Sequence, residues 1–294
     1  MRSAIVGCGT TDAGTSLPRM FGGIAARGRL LVVADAAGEA RFHVFDLDDR
    51  RLASRFTFGT EDPIDVGGIC LAEDSSLWVP DTTANRIRRF SLFGNEGGGF
   101  GPPPRAVLRD RRGLLVAPRA VAIDRYARLW VCCGDRSWVH GLQVFETDGR
   151  FVLSVSSLGQ RERRFGPAAG VVIRGDEVFV ADAGNDLVQC FRDDGSFVGS
   201  HALGGGAGHP SSIAAWADGH AVLALEPTAR VLLYDRNYRF VRELVAPKGE
   251  PLRDPSGVAC LGDELLVLDR DASRVRSFGL DGAYRETIFD ALEW

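Results

Sequence analysis

A three-residue pattern, small then β-branched then mostly small, recurs six times and constrains the fold of this chain more than any other feature. The copies are Gly23-Ile24-Ala25, Gly68-Ile69-Cys70, Ala120-Val121-Ala122, Gly170-Val171-Val172, Ser212-Ile213-Ala214 and Gly257-Val258-Ala259. Their starts lie 45, 52, 50, 42 and 45 residues apart. A short polar turn and a second apolar run follow each copy: Leu31-Val32-Val33, Leu77-Trp78-Val79, Leu129-Trp130-Val131, Val178-Phe179-Val180, Val222-Leu223-Ala224 and Leu265-Leu266-Val267. Two residues beyond that run stands an acid in five units, Asp35, Asp81, Asp182, Glu226 and Asp269, with Cys133 in its place in the third. A third run alternates and ends on an aromatic: Phe45, Phe90, Phe145, Phe191, Tyr234 and Phe278. Asp148-Gly149, Asp194-Gly195 and Asp281-Gly282 then open a fourth run. Asp-Gly between alternating apolar runs signals a hairpin, because its tight turn needs a residue at positive φ. Helical periodicity is nearly absent.

Four short antiparallel strands in roughly 45 residues, repeated, is the sequence form of a propeller blade. One such sheet cannot bury both of its faces, whereas sheets stacked around an axis bury each face against the next. The expectation is therefore an all-β, six-bladed β-propeller of four-stranded antiparallel blades. Its 294 residues form one domain, 1–294, with blades starting near 20, 66, 118, 167, 210 and 255. The first strand of each blade lies nearest the axis, where only Gly, Ala or Ser fits. The sixth unit is expected to own a fourth strand near Tyr284–Phe289. Residues 1–19 are then an N-terminal arm or a closing strand, with a strap the favoured reading.

The fourth unit, with Val180-Ala181-Asp182-Ala183-Gly184-Asn185, Val188-Gln189-Cys190-Phe191 and Asp194-Gly195, closely resembles an NHL repeat. So do the second, with Val79-Pro80-Asp81, Asn85-Arg86-Ile87 and Phe90, and the sixth, with Asp269, Arg274-Val275 and Phe278. Units one, three and five are degenerate, and the resemblance spans about residues 20–290. It implies the six-bladed fold and leaves function open, because this superfold hosts many activities. Asp81 and Arg86, and Asp269 and Arg274, are each five apart, and Glu226 and Arg230 four apart. These pairs are expected to brace the turns between second and third strands.

Apolar residues make up 45% and charged residues 25% of the chain, which excludes disorder as the default state. The net charge of −4 is unevenly spread. Residues 86–128 carry ten arginines against Glu96, Asp110 and Asp124, a local +7 that leaves −11 for the rest. Lys248 is the single lysine, a bias read as codon usage in a GC-rich genome or, more sharply, as selection for planar, bidentate anion recognition. The six cysteines, Cys8, Cys70, Cys132, Cys133, Cys190 and Cys260, show no zinc-like spacing and read as reduced thiols of a cytoplasmic protein. The apolar stretch before Cys8 is too short for the core of a signal peptide, and no apolar run is long enough to span a membrane.

In an up-and-down blade, the loops entering the first strand and those joining second to third strands emerge on one face. The longest of them, 94–118, holds Arg105, Arg109, Arg111 and Arg112. The next inter-blade loop holds Arg161, Arg163 and Arg164, and between them fall Arg136, Trp138 and His140. These segments are expected to meet on one face of blades two to four. The expected function is a non-catalytic scaffold or protein-recognition propeller that binds a partner, an acidic one suiting the arginines, through this face. Some NHL propellers bind RNA through the corresponding face, but the overall acidity argues against a dedicated nucleic-acid binder. No cofactor is expected. The alternative is a metal-dependent hydrolase or lyase acting on a small molecule at the channel mouth. Related propeller enzymes use Glu, Asn and Asp around a metal, or paired histidines with Glu. Neither set is legible among His43, His140, His201, His209 and His220, although His209 is placed to face the mouth.

Overall fold

The computed structural model of the protein describes residues 23–35, 41–57, 66–101, 112–133, 141–155, 166–270 and 274–290. They form six four-stranded antiparallel sheets, each made of four consecutive strands. Blade one comprises β1 (Ile24–Arg27), β2 (Leu30–Asp35), β3 (Arg41–Asp46) and β4 (Arg51–Thr57). Blade two comprises β5 (Cys70–Leu71), β6 (Leu77–Asp81), β7 (Arg86–Phe90) and β8 (Glu96–Phe100). Blade three comprises β9 (Ala120–Ile123), β10 (Leu129–Cys132), β11 (Leu142–Phe145) and β12 (Phe151–Val155). Blade four comprises β13 (Ala168–Arg174), β14 (Glu177–Asp182), β15 (Leu187–Arg192) and β16 (Phe197–Ala202). Blade five comprises β17 (Gly208–Trp216), β18 (Gly219–Glu226), β19 (Arg230–Asp235) and β20 (Phe240–Glu243). Blade six comprises β21 (Pro255–Leu261), β22 (Glu264–Asp269), β23 (Arg274–Gly279) and β24 (Tyr284–Phe289). The fold is the expected six-bladed β-propeller; among the described residues the only helical turn is 3-10, at Gly204–Gly206.

First strands of successive blades lie against one another all the way round, β21 meeting β1. Small residues in and beside the repeated triplet make this possible. A Cβ on Gly67 would sit 1.7 Å from the carbonyl oxygen of Arg119, and one on Gly23 would sit 2.5 Å from that of Gly67. Close approach also lets backbones pair across blades: Gly68 N–H donates to Arg119 O at 2.8 Å, and Val121 N–H to Gly68 O at 3.0 Å.

The core is six inter-blade seams rather than one centre. Each apolar cluster joins two neighbours, as Phe42, Val44, Leu77 and Phe90 do for blades one and two. Blades six and one share Ile24, Leu31, Phe45, Leu266 and Val275. The third-strand aromatics are all buried. The seam that closes the ring is made by packing: Phe289 of β24 lies 4.1 Å from Phe45, and Arg50 pairs with Glu286 at 2.6 Å. The N-terminal strap expected at 1–19 lies outside the described residues.

The Asp-Gly turns form as the sequence implies. Gly149, Gly195 and Gly282 have φ of 89°, 85° and 83°. Each preceding Asp accepts a hydrogen bond from the backbone N–H two residues on, as Asp194 does from Ser196 at 2.8 Å.

Candidate functional site

The two faces of the ring differ in how the chain crosses them. On one, the hairpins joining first to second and third to fourth strands take two to five residues each. On the other, the inter-blade connectors run 58–69, 101–119, 156–167, 203–207 and 244–254. The longest second-to-third connection, 133–141, opens on that face too, in blade three. The long connections therefore cluster around blades two to four. Long loops on a rigid frame are where propellers and other scaffolds carry function.

Buried polar pairs anchor this face, and they differ from those the spacing suggests. Asp81 is bound by Arg88, seven residues on, at 2.9 Å, while Arg86 turns outward to Glu96 at 3.8 Å. Asp269 faces Arg276, again seven on, at 3.5 Å, while Arg274 reaches Asp290 at 2.7 Å. Arg230 pairs with Glu243 at 3.5 Å rather than with Glu226. The reason is burial. Arg88 and Arg276 project into the seam where the carboxylates lie, whereas Arg86 and Arg274 lie nearer solvent. In blade four Gln189 replaces the arginine and donates to Asp182 at 2.6 Å. In blade three Gln143 takes that place and hydrogen-bonds Cys133, the cysteine that breaks the acid pattern, whose thiol burial pushes up to about 12.

These pairs also pin the connector that leads into their blade. Asp182 accepts from Gly166 N–H at 2.9 Å, and Asp269 from the N–H groups of Arg253 and Asp254 at 3.0 and 2.9 Å. Gln143 accepts from Gly113 N–H at 2.7 Å and donates to Leu114 O at 2.8 Å. Arg276 donates to Glu250 O at 2.6 Å. Asp182 has no cation partner among the described residues, and desolvation raises its pKa despite opposing hydrogen bonds from Asn185, Gln189 and Gly166.

Of the arginines and the tryptophan singled out in the sequence, Arg112 is described: it is exposed, at the end of the connector that Gly113 ties to blade three. Arg105, Arg109, Arg111, Arg136, Trp138, Arg161, Arg163 and Arg164 lie outside the described residues. Among the described residues, the arginines of 86–128 do not gather on one face. Arg86, Arg88, Arg89, Arg125 and Arg128 each pair with an acid of this chain. Arg125 and Arg128 sit in the β9–β10 hairpin, on the opposite face.

Near their starts, on the loop-bearing side, the inner strands of blades four, five and six each carry a bulge, at Ala169, Ser211 and Ser256. Such bulges re-aim side chains at the ends of sheets. Beside them His209 holds a φ of 57°, with its N–H on Asp186 Oδ1 at 2.6 Å and its Nδ1 3.8 Å from Glu226 Oε1. Among the described residues no three His, Cys, Asp or Glu side chains converge as a metal set. The reading of residues missed His201 and His220, whose rings meet in the seam between blades four and five.

No protein-family model and no curated protein matches the sequence. Solved structures do share its fold. A streptogramin B lyase matches with a TM-score of 0.63 at 15% identity, over 94% of this chain and 86% of that one. A chain of a nidogen/laminin complex matches with a TM-score of 0.64 at 16% identity, over 88% and 93%. A catalytically inactive histidine-to-alanine variant of virginiamycin B lyase from Staphylococcus aureus, crystallised with quinupristin, gives 0.62 at 13% identity, over 92% and 86%. At these identities the likeness is one of fold.

Proposed function

We propose that this chain is an NHL-type recognition propeller of the cytoplasm that binds another protein, of acidic surface, through its loop-bearing face. The observation that carries this reading is the asymmetry of the connections: hairpins of two to five residues on one face, and the longer connections 101–119, 133–141 and 156–167 joined to blades two to four at the other. The contact residues are Arg105, Arg109, Arg111, Arg112, Arg136, Trp138, Arg161, Arg163 and Arg164. Guanidinium groups suit carboxylates because they bond them in pairs. The solved chain from the nidogen/laminin complex supports the reading as an example of the fold within a protein assembly. The test is quantitative affinity capture from native extract with the arginines at 105–112 and 161–164 replaced by serine. Loss of specific partners, with the melting curve unchanged, is expected. An unchanged partner set sinks the assignment of this face.

A second reading, a metal-dependent hydrolase or lyase acting on a small molecule, has one observation in its favour. His209 stands near the start of the inner strand of blade five in a backbone conformation that costs energy to hold, within 3.8 Å of Glu226. The lyases of the same fold lend it support. A divalent-cation titration followed by melting temperature decides: a shift that His209→Ala abolishes favours the enzyme, and no shift with any cation dismisses it.

A further inference from the structure

The seam between blades four and five departs at three places from the packing that most of the other seams share. Opposite the third-strand aromatic, the second strand carries Leu31, Leu77, Leu129, Val178 or Leu265 in five blades. In blade five that residue is His220, opposite Tyr234. The outer strand of the preceding blade completes the contact with a phenylalanine in three seams: Phe56 on Phe90, Phe100 on Phe145 and Phe289 on Phe45. Here it is His201, 4.5 Å from Tyr234. The turn after the third strand holds glycine at positive φ in four blades, Gly94, Gly149, Gly195 and Gly282. Blade five has Tyr238 there at φ 64°, with its hydroxyl reaching across the seam to Glu177 Oε1 at 3.0 Å and Cys190 Sγ at 3.4 Å. Three departures from a repeated rule fall in one seam, and such departures mark function or strain.

The chemistry of the two imidazoles follows from their bonds. His201 Nδ1 lies 3.2 Å from the carbonyl oxygen of Ala202, which can only accept, so Nδ1 carries the proton and Nε2 is a bare acceptor. His220 Nε2, 3.0 Å away, must be the donor. Its Nδ1 is then a lone pair with no hydrogen-bond partner among the described residues. That ring is fully buried, stacked on Tyr234 at 4.9 Å and 7° and on Phe179 at 5.1 Å and 30°.

An added proton has two places to go. On His220 Nδ1 it makes a buried charged N–H without an acceptor. On His201 Nε2 it sets two N–H groups head to head across 3.0 Å. The groups around the pair do not relieve either state. Arg174 comes from β13, Glu177 from β14, Cys190 and Arg192 from β15, Arg230 and Tyr234 from β19, and Tyr238 from the turn that follows. Glu177 is committed to Arg174, at 2.5 Å, and to the Tyr238 hydroxyl. Among the described residues no carboxylate lies within ion-pair distance of either ring. Burial, then His201, then Arg174 push His220 down to about 3, and burial pushes His201 down as well.

We propose that the His201–His220 pair is an acid-released latch: taking up a proton parts the rings and loosens the seam between blades four and five together with the connector 203–207. The connector is tied in through Tyr234, whose hydroxyl accepts the N–H of Gly204 at 2.9 Å. That connector leads to His209 on the loop-bearing face. The latch stands on the packing of the seam and is independent of which partner the face binds.

Hydrogen exchange measured by mass spectrometry at pH 7 and pH 5, corrected for the intrinsic pH dependence of exchange, tests it. Segments 199–208 and 219–224 are expected to exchange at least about tenfold faster at pH 5, reversibly, while 30–33, 77–81 and 129–132 do not change. His220→Phe and His201→Phe, which remove the imidazoles and keep the seam apolar, are each expected to abolish the step. Imidazole titration of the wild-type protein by NMR gives a readout that needs no variant: both rings are expected to stay neutral below pH 6. Either ring titrating near the ordinary histidine value, a seam that stays closed at pH 5, or six seams opening together overturns the proposal.

Discussion

Replacing Asp269 by alanine should damage blade six in a way its position two residues beyond the strand's apolar run would not suggest. The carboxylate is fully buried and accepts the N–H groups of Arg253 and Asp254 at 3.0 and 2.9 Å. It also faces the guanidinium of Arg276, which is 1% exposed, at 3.5 Å. Alanine leaves a buried cation without its counter-charge, a change that costs about 3–5 kcal/mol in other proteins. Two backbone donors lose their acceptor as well, which places the expected loss at the upper end of that range. Arg276→Gln is the informative contrast, because blade four already works this way with Gln189 on Asp182 at 2.6 Å. It keeps an amide donor and forfeits the bond to Glu250 O, a loss of about 1–2 kcal/mol. The double variant Asp269→Asn with Arg276→Gln removes both charges and should cost less than Asp269→Ala alone. Urea melts followed by far-ultraviolet circular dichroism give the three values. Hydrogen exchange over 244–254 reports the second effect, loss of the connector's anchor. A cost below about 1 kcal/mol for Asp269→Ala, or unchanged exchange in that connector, would refute the view that these pairs hold the incoming connectors.

Two further outcomes are expected. His220 binds its proton at about 3 in the folded chain and at 6.5 in the unfolded one, so the unfolded state takes up protons first as pH falls. Stability is therefore complete above 6.5 and is lost progressively between 6.5 and about 3, amounting to about 2 kcal/mol at pH 5. Denaturant melts of wild type and His220→Phe at pH 7 and 5 measure it, and equal pH dependence in both would show that His220 is not responsible. Gly67→Ala drives a methyl group into Arg119 O, since its Cβ would lie 1.7 Å from that oxygen. The inner strands of blades two and three must then separate, at a cost of about 2 kcal/mol or more, read by thermal melting; a neutral substitution would mean the axis has room to spare.

What could be read from residues alone follows the strength of the periodic signal. The third-strand aromatics repeat in all six blades and the Asp-Gly turns in three, with fixed spacing, and both lie where the blade geometry puts them. The ion pairs were misassigned because spacing identifies residues that stand opposite each other but not which side chain turns inward. Asp81 and Arg86 are direct cross-strand partners, yet the buried carboxylate takes the buried guanidinium of Arg88. Blade five was misaligned by two residues for a different reason. Glu226 looks like the acid of the pattern, so Val222-Leu223-Ala224 reads as the second run. The pairing of His220 with Tyr234 shows that the run begins at His220 and that Ala224 holds the acid's place. That slip hid His220 from view as a substitution for leucine. The arginines of the proposed contact face stand outside any repeat, so no periodicity speaks for their arrangement.

The closed ring explains how one seam can carry histidines at its centre. Each blade is held by two seams, so blade four keeps the apolar cluster it shares with blade three, and blade five keeps the one it shares with blade six. Opening the seam between them turns a closed ring into an open one without stripping any sheet of both its neighbours. In a nearest-neighbour array the cost of such an opening is that of a single interface. In a linear stack the same weak interface would divide the molecule. Here the opposite side of the ring, including the Phe45–Phe289 contact, still holds the two blades in one piece. On the proposed latch, acid sensitivity falls on 203–207, one connector of the loop-bearing face, and among the described residues no buried imidazole stands in blades two and three.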